Sequence, residues 1–151
     1  MPKPLLTIER VLLALWIGAM WGIGYLAAPV LFATLDDRQL AGTLAGRMFD
    51  WMNYLGLVIG SLLLLSNRWR CRVGIDRRAV TLMLMLVIIL ANQYLLAPWI
   101  AELRATGLPE GSEVAARFAR LHGVASFLYL INSLLGAGLV AFGIHRPEYT
   151  K

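Results

Sequence analysis

Charge is scarce in this chain of 151 residues: Asp, Glu, Lys and Arg make up 15% of it, against 59% apolar residues. Soluble domains carry about a quarter charged residues. A chain this short cannot bury so large an apolar surplus beneath a water-facing surface, so an ordinary soluble domain is excluded. Cysteine is almost missing. Cys71 stands alone, which excludes intramolecular disulfides and Cys-x-x-Cys metal or redox motifs and leaves a free thiol in a basic loop. Histidine occurs only at His122 and His145. The apolar runs contain no phosphate loop, metalloprotease motif, Ser-His-Asp set or paired acidic dyad, and the carboxylates stand in or beside the connections. Nothing in the sequence demands an enzyme.

What is present are long runs without charge. Residues 11–35, 51–67, 79–101 and 121–145 hold no Asp, Glu, Lys or Arg. About 20 mostly apolar residues cross a hydrocarbon core of about 30 Å. We expect one all-α domain over 1–151, an integral membrane four-helix bundle with spans at about 9–34, 47–67, 79–101 and 119–144. The first run is too long for a signal-peptide core and three more follow it, so it reads as a retained helix.

The net charge of +5 is a topology signal here and does not indicate nucleic acid, because the basic residues sit in short loops beside the spans. The N-terminus, the 67–78 link and the C-terminus together hold nine Lys or Arg and are net +6, whereas the other two connections are net −1. The positive-inside rule then puts both termini in the cytoplasm of a bacterial inner membrane, with the lipid bilayer as the first partner.

Residues 25–29 read YLAAP and residues 94–98 read YLLAP, each near the outer end of an odd-numbered span. AGRMF at 45–49 and AARF at 115–118 then enter the following spans, so Arg47 and Arg117 take corresponding places. This pattern predicts two tandem helix pairs in parallel repeat. Pro29 and Pro98 remove backbone hydrogen bonds and mark helix kinks or ends. Two such irregularities at one depth would splay the outer half of the bundle. The inner half carries Gly18 and Gly22, Gly56 and Gly60, and Gly136 and Gly138. Small residues let helices approach closely, so these six are expected at packing contacts. Ser112 is placed to cap the fourth helix, and the segment DRQLAGTLAGRMF at 37–49 is expected to protrude as the start of the second.

Polar residues inside a membrane face the bundle interior. Asn53, Asn92, Gln93, His122 and Ser126 all fall in the outer third, with Arg47, Asp50, Arg117 and Arg120 just above them. The plain reading is interhelical hydrogen bonding beneath a headgroup-level set of ion pairs. The functional reading is an outward-facing polar vestibule lined by the first five, with the four charged residues at its mouth. Met48 and Met52 share one helical face at the depth of His122, and thioether with imidazole suits copper. Haem held by both histidines is excluded: 23 residues of helix separate them, roughly 35 Å. His122 with a methionine is the remaining axial pair. No cofactor is required by the pattern; copper and haem are the candidates.

The segments ALWIGAMWGIGYLAAPVLF, LAGTLAGRMF and RFARLHGVASFLYLINSLLGAGLV resemble a bacterial family of four-helix membrane proteins classed as a domain of unknown function, with transmembrane protein 205 as its eukaryotic relative. The resemblance covers nearly the whole chain and implies a four-helix fold in an inner membrane. More distantly, the segments are similar to CopD-like copper-resistance membrane proteins and HemJ-type protoporphyrinogen oxidases, which implies copper handling or haem-dependent redox chemistry. The expected function is handling of a small solute or metal ion through the vestibule, in a homo-oligomer because four helices are few for a transporter. The alternative is an accessory scaffold that packs against partner membrane proteins. A haem-dependent enzyme ranks last.

Overall fold

A computed structural model describes residues 3–70, 76–109 and 111–142. The chain runs α1 (Lys3–Trp21), a π-helical turn (Gly22–Ala27), α2 (Ala28–Thr34), α3 (Arg38–Arg70), α4 (Arg77–Ala91), a second π-helical turn (Asn92–Leu96), α5 (Ala97–Ala105) and α6 (Glu113–Phe142). No strand occurs among the described residues. The π turns are continuous with the helices on either side. Four rods result, Leu5–Thr34, Arg38–Arg68, Arg77–Ala105 and Glu113–Phe142, each long and apolar enough to cross a membrane. The all-α four-span architecture is as expected. Cys71 and His145 lie outside the described residues.

Side-chain caps set three of the helix starts. Asp37 Oδ1 accepts from the backbone N–H of Gln39 at 2.8 Å and of Leu40 at 3.0 Å. That cap starts α3 at Arg38, well before the apolar run, so the stretch that leads into the second span is helical. Ser112 Oγ accepts from Ala115 N–H at 3.1 Å, and α6 begins beside it as expected. Asp76 caps α4 through Ala79 N–H at 2.9 Å. At the end of α5, Gly107 takes φ +83, a left-handed step that costs glycine nothing and lets its N–H bond back to Arg104 O.

Neither proline ends its span: helix continues through both. In each case the turn before the proline is wound one residue wider. Ala28 N–H bonds Ile23 O, and Ala97 N–H bonds Asn92 O, both five residues back. Proline has no N–H and its ring collides with the carbonyl four residues earlier; a π turn moves that carbonyl aside. The two Tyr-Leu-x-Ala-Pro stretches thus adopt the same backbone solution.

Call the end with the N-terminus and the 71–75 link proximal, and the end with the 35–37 and 106–112 connections distal. In the proximal half, α1 packs on α3 and α6, and α4 packs on the same two helices, closing a ring. Trp16, Met20, Leu63, Leu82 and Met85 are the largest side chains sealed inside it. Beyond the π turns the main contacts change. There α2 packs on α3 and α5 packs on α6, each within its own hairpin. A tight half and a splayed half were expected from the glycines and prolines, and both are present.

Three of the six expected packing glycines are at close contacts. A Cβ on Gly56 would stand 2.8 Å from Trp16 Nε1, on Gly60 2.7 Å from Leu86, and on Gly136 2.3 Å from Ile17. Gly18, Gly22 and Gly138 have nothing within 4 Å, a correction to the expectation: Gly-x-x-x-Gly spacing does not say which way its face points. Gly56→Ala is therefore expected to cost about 1–3 kcal/mol, because the buried Trp16 ring has little room to retreat. Gly18→Ala should be neutral or stabilising by up to about 1 kcal/mol, through helix propensity alone. Unfolding in mixed micelles would separate the two; equal effects would contradict this packing.

A polar clamp closes the proximal end. Glu9 of α1 is 4% exposed. It accepts from Arg78 Nη1 of α4 at 2.9 Å and from Ser66 Oγ of α3. Beside it, Asn67 Nδ2 donates to Asp76 Oδ1 at 2.8 Å. No local sequence rule pairs Glu9 with Arg78, 69 positions away.

Candidate functional site

The splay leaves a cavity of about 430 Å³ at the distal end. Its walls come from all four spans. Asp50, Asn53, Asn92, His122 and Ser126 line it, as do Tyr25, Phe49, Arg104 and Tyr129. Five of the nine vestibule residues named from sequence are thus brought to one space. Gln93 is the sixth participant, buried behind the wall. Its Oε1 accepts from Asn53 Nδ2 at 2.8 Å, and its Nε2 donates to Asp50 Oδ1 at 3.1 Å. This chain of bonds ties α3 to the second π turn and fixes the Asp50 carboxylate.

Part of the wall is aromatic. The Tyr129 hydroxyl donates to Met20 O at the entry to the first π turn. Its ring lies over Gly24, where a Cβ would come within 2.4 Å of Cε1. Tyr25 and Phe49 meet the same ring edge-on, with centroids 6.2 and 5.2 Å away. The Tyr25 and Ser133 hydroxyls are 2.7 Å apart. These contacts bridge α6 to the first span, as the Gln93 bonds bridge α3 to the third. An offset of 69 positions relates Pro29 to Pro98, and it also relates Asn53 to His122.

The mouth differs from expectation. Arg47, Arg117 and Arg120 are exposed and do not line the cavity. A long charged side chain costs least on an exposed face, and these three lie on the outer faces of α3 and α6. Arg104 lines the mouth instead. Its Nη1 donates to Gly42 O at 2.7 Å, crossing from α5 to α3, and its guanidinium sits 5.5 Å above the Phe118 ring. Phe118 in turn stacks on His122, with centroids 5.7 Å apart and planes 4° from parallel. Gly42 and Gly46 make space for the arginine. In sequence Arg104 stands in a connection, and the signal that matches it is the small pair Gly42 and Gly46, four apart in AGTLAG. Tyr25, Phe49 and Tyr129 carried no signal beyond ordinary span aromatics.

Two electrostatic features remain. Among the described residues no Lys, Arg or His nitrogen lies within 4 Å of the Asp50 carboxylate. Asn92 Oδ1 is buried and accepts no hydrogen bond. Both are oxygens facing a shortage of donors. As for metals, no group of three His, Cys, Asp or Glu side chains comes together among the described residues. Met48 and Met52 do not line the cavity beside His122, and Met52 belongs to the proximal core cluster.

Four apolar spans, arranged as two hairpins around an end-opening polar cavity, define a multi-pass α-helical membrane protein. Within that class, the chain belongs to the family described as Domain of unknown function (DUF4149), whose model matches residues 11–109. The matched region includes Asp50, Asn53, Asn92 and Arg104; His122, Ser126 and Tyr129 follow it. No curated protein and no solved structure matches the chain.

Proposed function

We propose that the protein binds a small solute in the distal cavity and presents it at one face of a bacterial inner membrane. The observation that carries this reading is the convergence of Asp50, Asn53, Asn92, His122 and Ser126 on one space of about 430 Å³. That size lies in the usual range for ligand sites, as does a largely apolar wall with few polar groups. The arginine distribution supports a distal end that faces the periplasm, with both termini cytoplasmic. Ala125 also lines the cavity, and a tryptophan there would fill it. Solutes that raise the unfolding midpoint of the purified protein should lose that effect in Ala125→Trp. Equal shifts in both proteins would sink the reading.

The open faces at Gly18 and Gly22 favour a second role as a scaffold for a second copy or a partner membrane protein. Gly18→Leu tells the two apart. It should abolish capture of a partner helix and leave any ligand-induced shift intact.

A further inference from the structure

Resting on the reading of the distal cavity as a binding site, we infer that its ligand is a zwitterion: an ammonium joined by a short link to an anionic group. The ammonium end is assigned by the uncompensated Asp50 carboxylate. Asp50 is anchored by Gln93 but has no cation within 4 Å among the described residues. Asn92 lines the same space, but its Oδ1 is sealed from it, so Asp50 is the acceptor that a ligand can reach. An ammonium offers the N–H donors and the positive charge that Asp50 lacks. Tyr25, Phe49 and Tyr129 line the same cavity and supply the aromatic surface that a cation favours.

The anionic end is assigned by Arg104. One of its nitrogens is engaged with Gly42 O, and the guanidinium has further N–H donors on the mouth of the cavity. Gly46 lies beside it, and Asp50 is one helical turn further along α3, about 6 Å. A purely anionic ligand would meet the Asp50 carboxylate, and a purely cationic one would meet Arg104. A ligand that bears both charges in that order meets neither penalty. An ethanolamine phosphate has this form. Its source is a phospholipid head group or a free solute of the same chemistry. The apolar part of the wall, which includes Phe32 and Ile100, would take acyl chain in the first case.

The test uses the purified full chain in detergent, with phosphatidylethanolamine, phosphatidylglycerol or soluble phosphoethanolamine added. Phosphatidylethanolamine should raise the unfolding midpoint and phosphatidylglycerol should not. Asp50→Asn should weaken the binding on the order of tenfold to a hundredfold, the effect of removing one charge-assisted hydrogen bond. Arg104→Gln should weaken it too. Phosphoethanolamine acting alone would support the same chemistry from a free solute. An equal shift with phosphatidylglycerol, an unaltered response in Asp50→Asn, or no shift with any probe would overturn the zwitterion. Ala125→Trp keeps this failure separate from failure of the cavity reading. A non-selective shift that Ala125→Trp abolishes leaves the cavity standing, and one that survives it removes both.

Discussion

Glu9→Ala is expected to destabilise the protein by about 3–5 kcal/mol, the usual cost of removing one partner from a buried ion pair. Glu9 is 4% exposed, and the Arg78 side chain beside it 15%. Without the carboxylate, Arg78 keeps a mostly buried charge, and Ser66 loses the acceptor for its hydroxyl. The clamp joins α1, α3 and α4, so its loss should loosen the proximal ring as a whole. The partner variant Glu9→Ala with Arg78→Met should recover much of the loss, because removing both charges leaves little uncompensated. Unfolding in mixed micelles would measure both. If the double variant is as unstable as the sum of the singles, the two side chains do not act as a pair.

The second large effect is expected at Gly24. A valine there would drive its Cβ into the Tyr129 ring, which stands 2.4 Å from the ideal Cβ position. The ring is hemmed in by Phe49 and Tyr25, so it cannot simply swing away. Overpacking of this kind costs about 1–3 kcal/mol. Displacing Tyr129 also strips Met20 O of its donor, which adds about 1–3 kcal/mol. We expect about 2–6 kcal/mol in total, along with loss of ligand binding, since Tyr129 forms a wall of the cavity. Tyr129→Ala combined with Gly24→Val should relieve the overpacking but not restore binding. Normal stability in Gly24→Val would show that the ring is not fixed in place.

How much of this was legible in the sequence differs by element. The spans were legible because hydrocarbon imposes a length and excludes charge, and both requirements are written in runs such as 79–101. The Ser112 cap was legible because capping is local. The polar convergence at Asn53, Asn92, Gln93, His122 and Ser126 was legible because intramembrane polar groups must turn inward, and their depth follows from residue count. The direction of a helix face was not. Gly18 and Gly56 sit in similar motifs, yet one is open and the other touches Trp16. Arg104 was misread for a related reason. Its charge suited a connection, and only the three-dimensional approach of α5 to Gly42 turns it toward the cavity. Glu9 and Arg78 are far apart in sequence, and no local rule pairs them.

Each π turn holds one residue more than an α-turn would need, and this makes α2 and α5 sensitive to length rather than to chemistry. Deleting a single residue within Gly22–Ala27 would turn everything from Ala28 to Thr34 by about 100° about the helix axis. Pro29 and Phe32 would rotate off the cavity wall, and the proline ring would again strike the carbonyl it now avoids. Loss of one codon there would therefore act as a rotary fault, whichever side chain was removed.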